Sequence, residues 1–236
     1  LNVSFCKASC ICFVSVTLSW VVKIKSPNLL YFFLVASVKN SSFRTLIADK
    51  TDSKKPVMLI YNKNLSVCPV TTHLPLKSVT SKITKKNIIE KIKLIDEFYK
   101  KKLKKKPKVA VVGLNPHCES VNKFNEDEEI VKPAVKFLKK KKFKISGPFS
   151  ADTIFLKQNR SNYDVILGMY HDQVLTPIKT IFEYDAINIT LGLPFIRISP
   201  DHGPNQKMVG KNMSNPLSLM RAIEFLDKNW LKQKKV

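Results

Sequence analysis

Short apolar runs, rich in β-branched residues and bounded by polar turns, recur along the chain from residue 56 onward. Runs of this length and composition are typical of buried strands. We expect strands at residues 56–61, 65–71, 108–113, 143–146, 164–169, 186–190 and 195–198. A turn is expected at Gly147-Pro148, because both residues interrupt regular structure.

Between these runs, apolar positions recur every three to four residues, which indicates amphipathic helices. The clearest helix follows Thr84, where Ile88, Ile92 and Ile95 mark about 15 residues that end in a lysine run before Pro107. Further helices are predicted at residues 127–138, 151–157 and 216–229. Strands that alternate with helices predict an α/β fold with three layers, α/β/α, around a largely parallel sheet.

The N-terminal region has a different composition. Residues 1–48 contain no Asp, Glu or Gly, and they carry two apolar runs, at 10–22 and 29–38. Neither run reaches the roughly 18 uninterrupted apolar residues that a membrane span needs, so no membrane partner is expected. Lys7 before an apolar stretch would suit a signal peptide, but the second run argues against one.

These patterns divide the chain into three parts. Residues 1–47 are expected to be an artefactual or disordered segment, since their composition matches nothing that follows. Residues 48–230 are expected to form one α/β domain, which carries all the candidate site residues. Residues 231–236 form a basic tail.

Basic residues strongly outnumber acidic ones: 41 Lys and Arg against 18 Asp and Glu give a formal net charge of +23. Such a charge is typical of nucleic-acid-binding proteins, but only four of the basic residues are Arg, which base readout favours. The lysines cluster at residues 82–108 and 139–142. We expect these runs to be exposed and scattered around the fold. No nucleic-acid partner is therefore expected, and a basic polyanion-binding protein is kept as an alternative.

The five cysteines form no CxxC motif and no even disulfide framework, which favours reduced thiols and a cytoplasmic protein. Cys118 directly follows His117 and is either a soft metal ligand or a small side chain that fills space in the core.

Three of the four histidines follow predicted strands: His73, His117 and His171. Their spacings of 44 and 54 residues are far too long for a zinc finger. They suit a site assembled from the carboxyl ends of separate strands, where open α/β sheets bind ligands. Three imidazoles without a fourth protein ligand are also typical of an open catalytic metal site. Taken singly, a histidine is more often structural or exposed than a metal ligand.

Six short motifs occur in a fixed order. They are TTHLPL at 71–76, GLNPH at 113–117, GPFSADT at 147–153, MYHDQ at 169–173, NITLGLPFIR at 188–197 and DHG at 201–203. With these motifs the chain resembles, from about Ala48 to Asp227, the 4-hydroxythreonine-4-phosphate dehydrogenase family of vitamin B6 biosynthesis. It looks like an N-terminally truncated member, because the family's N-terminal substrate and cofactor region has no counterpart here.

The resemblance implies an isocitrate- or isopropylmalate-dehydrogenase-like fold and a homodimer whose metal site draws on both chains. It also implies NAD-dependent oxidation of 4-phosphohydroxy-L-threonine, followed by decarboxylation to 3-amino-2-oxopropyl phosphate in pyridoxal phosphate biosynthesis. The family's metal ligands correspond to His73, His117 and His171, which would hold zinc, magnesium or cobalt. Such an ion favours a substrate alkoxide and then an enolate.

The family's contacts to its phosphorylated amino-acid substrate correspond to Lys179, Asn188 and Arg197. An ammonium, an amide and a planar guanidinium together suit an anionic group. Asp152 and Asp172 are candidates to orient a metal-bound imidazole or to bind the substrate ammonium, with helix capping as the rival role for Asp152. The resemblance does not make His202 a ligand, and we interpret it as a local loop residue.

Two features leave the cofactor geometry and the activity open. No GxGxxG motif occurs, so NAD is implied only through the family and its contact residues are unknown. After His117 the family usually has a Gly-rich acidic stretch, whereas residues 118–126 contain no Gly, which changes how closely the backbone can approach a ligand. We expect this chain to bind a divalent metal but to oxidise the substrate feebly or not at all. A catalytically inert metal-binding fragment is therefore the alternative.

Overall fold

The computed structural model describes three strands at residues 11–16, 19–26 and 29–35, together with residues 56–119, 124–202, 211 and 213–228. The strands are β1 (Ile11–Val16), β2 (Ser19–Ser26), β3 (Leu29–Val35), β4 (Val57–Tyr61), β5 (Ser66–Pro69), β6 (Val109–Val112), β7 (Ile145–Phe149), β8 (Val165–Gly168), β9 (Ile187–Leu191) and β10 (Arg197–Pro200). The α-helices are α1 (Lys85–Leu103), α2 (Lys132–Lys140), α3 (Ala151–Ile154), α4 (Lys157–Arg160), α5 (His171–Phe182) and α6 (Leu217–Leu226). A π-helical turn at Asp127–Val131 leads into α2, and 3-10 turns lie at Leu76–Ser78, Thr80–Lys82 and Pro116–Cys118.

The strands form a single sheet in the order β1-β2-β3-β10-β9-β4-β5-β8-β6-β7. Neighbours β5, β8, β6 and β7 are parallel to one another. Strand β9 shares their direction, whereas β4 and β10 run the opposite way. Of the seven strands numbered β4 to β10, five therefore point the same way, which confirms the prediction of a largely parallel sheet.

Helices cover both faces of the sheet. Val109 and Val111 belong to the hydrophobic cluster that contains the apolar side chains of α1, α2 and α6. Ala110 and Val112, which point to the opposite face, pack in the cluster that contains those of α3 and α5. Strands buried on both faces have continuous apolar sequences, which is why these segments were recognisable. The three-layer α/β/α architecture is thus confirmed.

The N-terminal strands extend this sheet. β2 pairs antiparallel with both β1 and β3, and β3 pairs parallel with β10 at Phe32 and Phe33. The interpretation of residues 1–47 as artefactual or disordered stays a prediction. The basic tail at 231–236 lies outside the described residues. Among the helices of the described residues, none has the length and apolar character to cross a membrane.

Helix α5 is not predicted by the sequence pattern. It contains Pro177 and several β-branched residues, and both features lower helix propensity. The helix nevertheless forms, because Val174, Leu175 and Ile178 are buried against the sheet. Packing of an apolar face supplies more of a helix's stability than propensity does.

Two local predictions were wrong. Gly147-Pro148 is not a turn but lies within β7. A Cβ at position 147 would lie 2.3 Å from the carbonyl oxygen of Val111, so Gly147 permits a close approach of β7 to β6. The single helix expected at 151–157 is instead two short helices, α3 and α4, which are separated at Phe155 and Leu156.

Candidate metal and substrate site

The three candidate ligands lie at one edge of the sheet. Strands β5, β8 and β6 are parallel neighbours, so their carboxyl ends share an edge. His73 follows β5, His117 follows β6, and His171 follows β8 as the first residue of α5. Crevices at this edge are where open α/β sheets bind ligands.

The imidazoles of His73 and His171 are close together. Their ring centroids are 5.3 Å apart, and the ring planes are inclined by 47°. Two imidazoles bound to one tetrahedral zinc ion have ring centres about 5 Å apart, given zinc–nitrogen distances near 2.0 Å. Nδ1 of His171 lies 2.6 Å from Oδ1 of Asp172, which leaves Nε2 available to a metal.

His117 has a different set of neighbours. It has a positive φ of 54°, as does Cys118 at 62°, so the loop bends sharply after Pro116. The Ser150 hydroxyl lies 3.3 Å from His117 Nδ1 and donates a hydrogen bond of 2.6 Å to Asp152 Oδ1. That hydrogen bond, with a smaller contribution from nearby His117, lowers the pKa of Asp152 below its usual value.

Ser150 precedes α3, but its side chain makes no hydrogen bond to the backbone of the first turn. Helix capping is the rival role for Asp152, and the backbone N–H groups of Asp152 and Thr153 at the start of α3 also lower the pKa of its carboxyl. The Ser150 hydroxyl instead links His117 to Asp152, which gives Asp152 an indirect contact with a candidate ligand.

The three histidines do not form a complete donor set in one chain. Within the residues that the structure describes, no group of three or more His, Cys, Asp or Glu side chains is arranged to hold one metal ion. The donors are instead arranged as a pair, His73 with His171, and as His117 beside Ser150.

Cys118 lies beside this site without joining it. Its thiol is partly buried against Gly113, where an added Cβ would lie 2.6 Å from Sγ. Burial, with help from the carboxylate of Asp127, raises the pKa of the Cys118 thiol, which disfavours the thiolate that binds metals. The space-filling interpretation therefore agrees better with the structure.

Lys179, a candidate phosphate ligand, already has an anionic neighbour. Its ammonium donates to the backbone oxygen of Asp201 at 2.5 Å and to Asp201 Oδ2 at 3.0 Å. The Asp201 side chain is only 6% exposed, whereas that of Lys179 is 43% exposed. The ion pair thus holds the ammonium of Lys179, while part of the side chain meets solvent.

Asn188 and Arg197 lie on one polar stripe of β9 and β10. Arg197 pairs with Thr190 in the strand register and donates a 2.8 Å hydrogen bond to its hydroxyl. Asn188 pairs with Ser199 on the same face. Asn188 Oδ1 is buried and accepts no hydrogen bond from the described residues. A buried amide oxygen of this kind suits a hydrogen-bond donor supplied by a ligand.

Several contributing residues were not singled out from the sequence. Ser150, Gln173 and Asp127 contact the loops that carry the histidines, and Thr190 contacts Arg197. Ser150 and Gln173 lie inside the recognised motifs, so proximity to a candidate ligand was the available signal. His202 packs beside Tyr184, at a ring-centroid distance of 6.3 Å, as a loop residue.

The fold, with the candidate site at the sheet edge that carries the three histidines, defines a class of protein. This class is the three-layer α/β proteins built like isocitrate dehydrogenase. The isocitrate dehydrogenase of Methylococcus capsulatus aligns with a TM-score of 0.53 over 82% of this chain and 63% of that one. At 12% sequence identity, this likeness concerns the fold alone.

The chain belongs to the PdxA family, described as pyridoxal phosphate biosynthetic protein PdxA, whose model matches residues 34–226. This confirms the family that the motifs indicated. The match begins at residue 34, within the N-terminal segment that the motifs left unassigned.

Individual relatives agree. The 4-hydroxythreonine-4-phosphate dehydrogenase of Sulfurihydrogenibium sp. is 44% identical over 76% of this chain and 56% of its own length. The enzyme of the same name from Bradyrhizobium diazoefficiens is 42% identical over 72% of this chain and 50% of its own length. The crystal structure of the Klebsiella pneumoniae enzyme of that name aligns with a TM-score of 0.66 at 34% identity, over 77% of this chain and 56% of that one. The chain thus spans about half the length of the relatives that it matches.

Proposed function

We propose that this chain takes part in the NAD-dependent oxidation of 4-phosphohydroxy-L-threonine. Decarboxylation to 3-amino-2-oxopropyl phosphate would follow, in cytoplasmic pyridoxal phosphate biosynthesis. The observation that carries the proposal is the position of three histidines after neighbouring parallel strands, with the rings of His73 and His171 5.3 Å apart. Membership of the PdxA family supports the choice of reaction.

His73, His117 and His171 would hold a divalent metal ion. An all-imidazole donor set favours zinc or cobalt over magnesium, which prefers oxygen ligands. When bound, such an ion lowers the pKa of a substrate hydroxyl and stabilises negative charge on oxygen. Because the described residues of one chain do not bring three donors together, we propose that a homodimer completes the site.

The neighbouring carboxylates would orient these imidazoles. Asp172 accepts from His171 Nδ1 when that nitrogen carries the proton, and this fixes the tautomer with Nε2 free. Ser150 and Asp152 play the corresponding role for His117.

Arg197, Lys179 and Asn188 would bind the phosphorylated substrate. Arg197 is 6% exposed, and a buried guanidinium held on one side by Thr190 is well suited to a planar contact with phosphate oxygens. Asn188 and Arg197 share one face of β9 and β10, while Lys179 is bound by Asp201. NAD would accept the hydride, and its contact residues are not assigned.

Metal titration of His171→Ala tests this proposal. The unmodified chain should bind Co²⁺ or Zn²⁺ in a calorimetric titration, and the variant should lose most of that affinity because one of three imidazoles is gone. His202→Ala is the matched control and should bind normally. Normal binding by His171→Ala would contradict the metal site.

The second candidate is a folded chain that binds metal without turnover, which the half-length match favours. Absorbance of NADH, with 4-phosphohydroxy-L-threonine and metal-loaded protein, separates the two. We expect feeble or absent NADH formation by this chain. Fusion of an N-terminal region from a relative should restore it, and His171→Ala in the fusion should abolish it. Full turnover by the 236-residue chain would contradict the expected weakness.

A further inference from the structure

The side chain of Gln173 joins the loop that carries His117 to the loop that carries His171. Its Nε2 donates to the carbonyl oxygen of Gly113 at 2.8 Å, directly after β6. Its Oε1 accepts from the backbone N–H of Met169 at 2.7 Å, directly after β8. Both ends of one partly buried amide are therefore used.

The register of the two strands explains this geometry. Val109, Ala110 and Val111 pair with residues 165, 166 and 167, an offset of 56. The same offset places Gly113 opposite Met169. A carboxamide carries the same donor and acceptor as a peptide group, so Gln173 occupies the place of the next hydrogen-bonded step of the ladder. Because a side chain now lies between the two backbones, the loops separate at this point instead of pairing directly.

The space for this bridge is provided by glycine. A Cβ at Gly168 would lie 3.0 Å from Oε1 of Gln173 and 2.4 Å from Cγ1 of Val174. Only a residue without a side chain lets α5 begin this close to the end of β8.

The far side of the His117 loop is held by Asp127. Its carboxylate is fully buried and accepts from the backbone N–H groups of Leu114 at 2.6 Å and Asn115 at 2.9 Å, and from Asn115 Nδ2 at 3.2 Å. The segment before Pro116 is therefore held on one side by Gln173 and on the other by Asp127.

We propose that Gln173 is a positioning residue that sets the separation between the His117 loop and the His171 loop, and thereby the affinity of the site for a metal ion. Only the effect on metal affinity rests on the proposed function; the separation of the two loops does not. The bridge itself can be tested without metal. Residues that orient metal ligands typically change metal affinity by about 10- to 100-fold when they are replaced.

Two substitutions separate the two ends of the amide. Gln173→Met keeps the length of the side chain and removes both hydrogen bonds. Gln173→Glu keeps an acceptor for Met169 but sets a carboxylate oxygen against the carbonyl of Gly113. Gln158→Met, on the exposed surface of α4, is the control.

Amide exchange and resonance positions in metal-free protein measure the bridge. Gln173→Met should speed exchange of the Met169 amide at least about tenfold and shift the resonances of Asn115 and Cys118, since a hydrogen bond of about 1.4 kcal/mol is a factor of ten. Gln173→Glu should preserve protection of Met169 and still shift Asn115 and Cys118. Unchanged Asn115 and Cys118 resonances in both variants would overturn the inference, whatever the metal does.

Co²⁺ titration then measures the effect on the site. Gln173→Met and Gln173→Glu should both bind Co²⁺ about 10- to 100-fold more weakly and show an altered visible absorption spectrum. A purely structural residue would lower the melting temperature but leave the affinity and the spectrum of the folded protein unchanged, and that result would overturn the positioning role. If the unmodified chain bound no Co²⁺, the proposed function and the proposed effect of Gln173 on metal affinity would both fail. The exchange data would still decide the bridge.

Discussion

Asp201 shows how burial and an ion pair act in opposite directions on a single residue. Its carboxyl is almost fully buried, and this raises its pKa above the usual 3.8, although Lys179 lowers it. Removal from water therefore outweighs the attraction of a partly exposed ammonium. The folded state binds a proton on Asp201 more readily than the unfolded state does.

A consequence of this raised pKa is a pH-dependent contribution to stability. The contribution of Asp201 should be most favourable below pH 3.8 and should fall as the pH rises through the folded-state pKa, because the native state then loses a proton it held more tightly. Asp201→Asn lacks this slope. The free energy of unfolding should therefore decrease with pH for the unmodified chain relative to Asp201→Asn, in urea titrations at successive pH values above 3.8. If the free energy of unfolding of the unmodified chain, relative to that of Asp201→Asn, stayed constant or rose with pH, the raised pKa of Asp201 would be contradicted.

Cys68 and Cys118 differ in a way that alkylation can measure. Burial raises the pKa of the Cys68 thiol to about 11, and this residue is fully buried in β5. Cys118 is partly exposed, next to His117 at the edge of the sheet. Iodoacetamide at pH 8, followed by peptide mapping, should label Cys118 well before Cys68, because the thiolate is the nucleophile and must also be accessible. Faster labelling of Cys68 would show that β5 is not packed as described.

At the scale of elements, the start of α1 shows a signal that was readable in the sequence. Thr84 was expected just before the helix, and its hydroxyl accepts from the Asn87 backbone N–H at 3.1 Å. The end was less predictable. Lys104 closes the helix in the left-handed conformation, where glycine is the usual residue, and the helix is 19 residues long instead of about 15.

Removal of this cap should destabilise the fold measurably. Thr84→Ala should lower the free energy of unfolding by about 1 kcal/mol, since one N–H of the first turn loses its acceptor. Thr84→Ser retains the oxygen and should stay close to the unmodified chain. The measurement is urea unfolding followed by far-ultraviolet circular dichroism. Equal losses in both variants would indicate that the methyl group, rather than the hydrogen bond, stabilises the start of α1.

At the scale of the whole molecule, the lysine runs are less scattered than expected. Their lysines are mostly exposed, but the Lys106 ammonium donates to the carbonyl oxygen of Lys142 at 2.7 Å. Lys85 and Lys141 both lie over the ring of Phe137, at 5.6 and 6.0 Å. The expectation of scattering was wrong here, because α1 and α2 pack side by side and the segments after them meet. Lysines from runs that are remote in sequence thus lie close together around Phe137 and Lys142, and this group is called the cationic surface.

Mutual repulsion on this surface should make stability depend on salt. Between about 0.02 and 0.3 M NaCl, the melting temperature should rise as the charges are screened. Replacement of Lys139, Lys140, Lys141 and Lys142 by Gln should flatten that rise. The control replaces the exposed and separated Lys63, Lys77, Lys157 and Lys211 by Gln, which changes the net charge equally. Equal flattening in both variants would mean that total charge, not the cationic surface, sets the dependence.

The sequence by itself determined the layered α/β fold, the family and the strands that carry His73, His117 and His171. Apolar periodicity and short motifs are local properties, so they can be read along the chain. Only the tertiary structure decided which groups meet. The contact of His73 with His171, the link from His117 through Ser150 to Asp152, and the Gln173 bridge from Gly113 to Met169 join residues far apart in sequence. The tertiary structure also decided that α5 forms, since burial of its apolar face outweighs its low helix propensity. These contacts depend on strand order and register, and no local pattern encodes either.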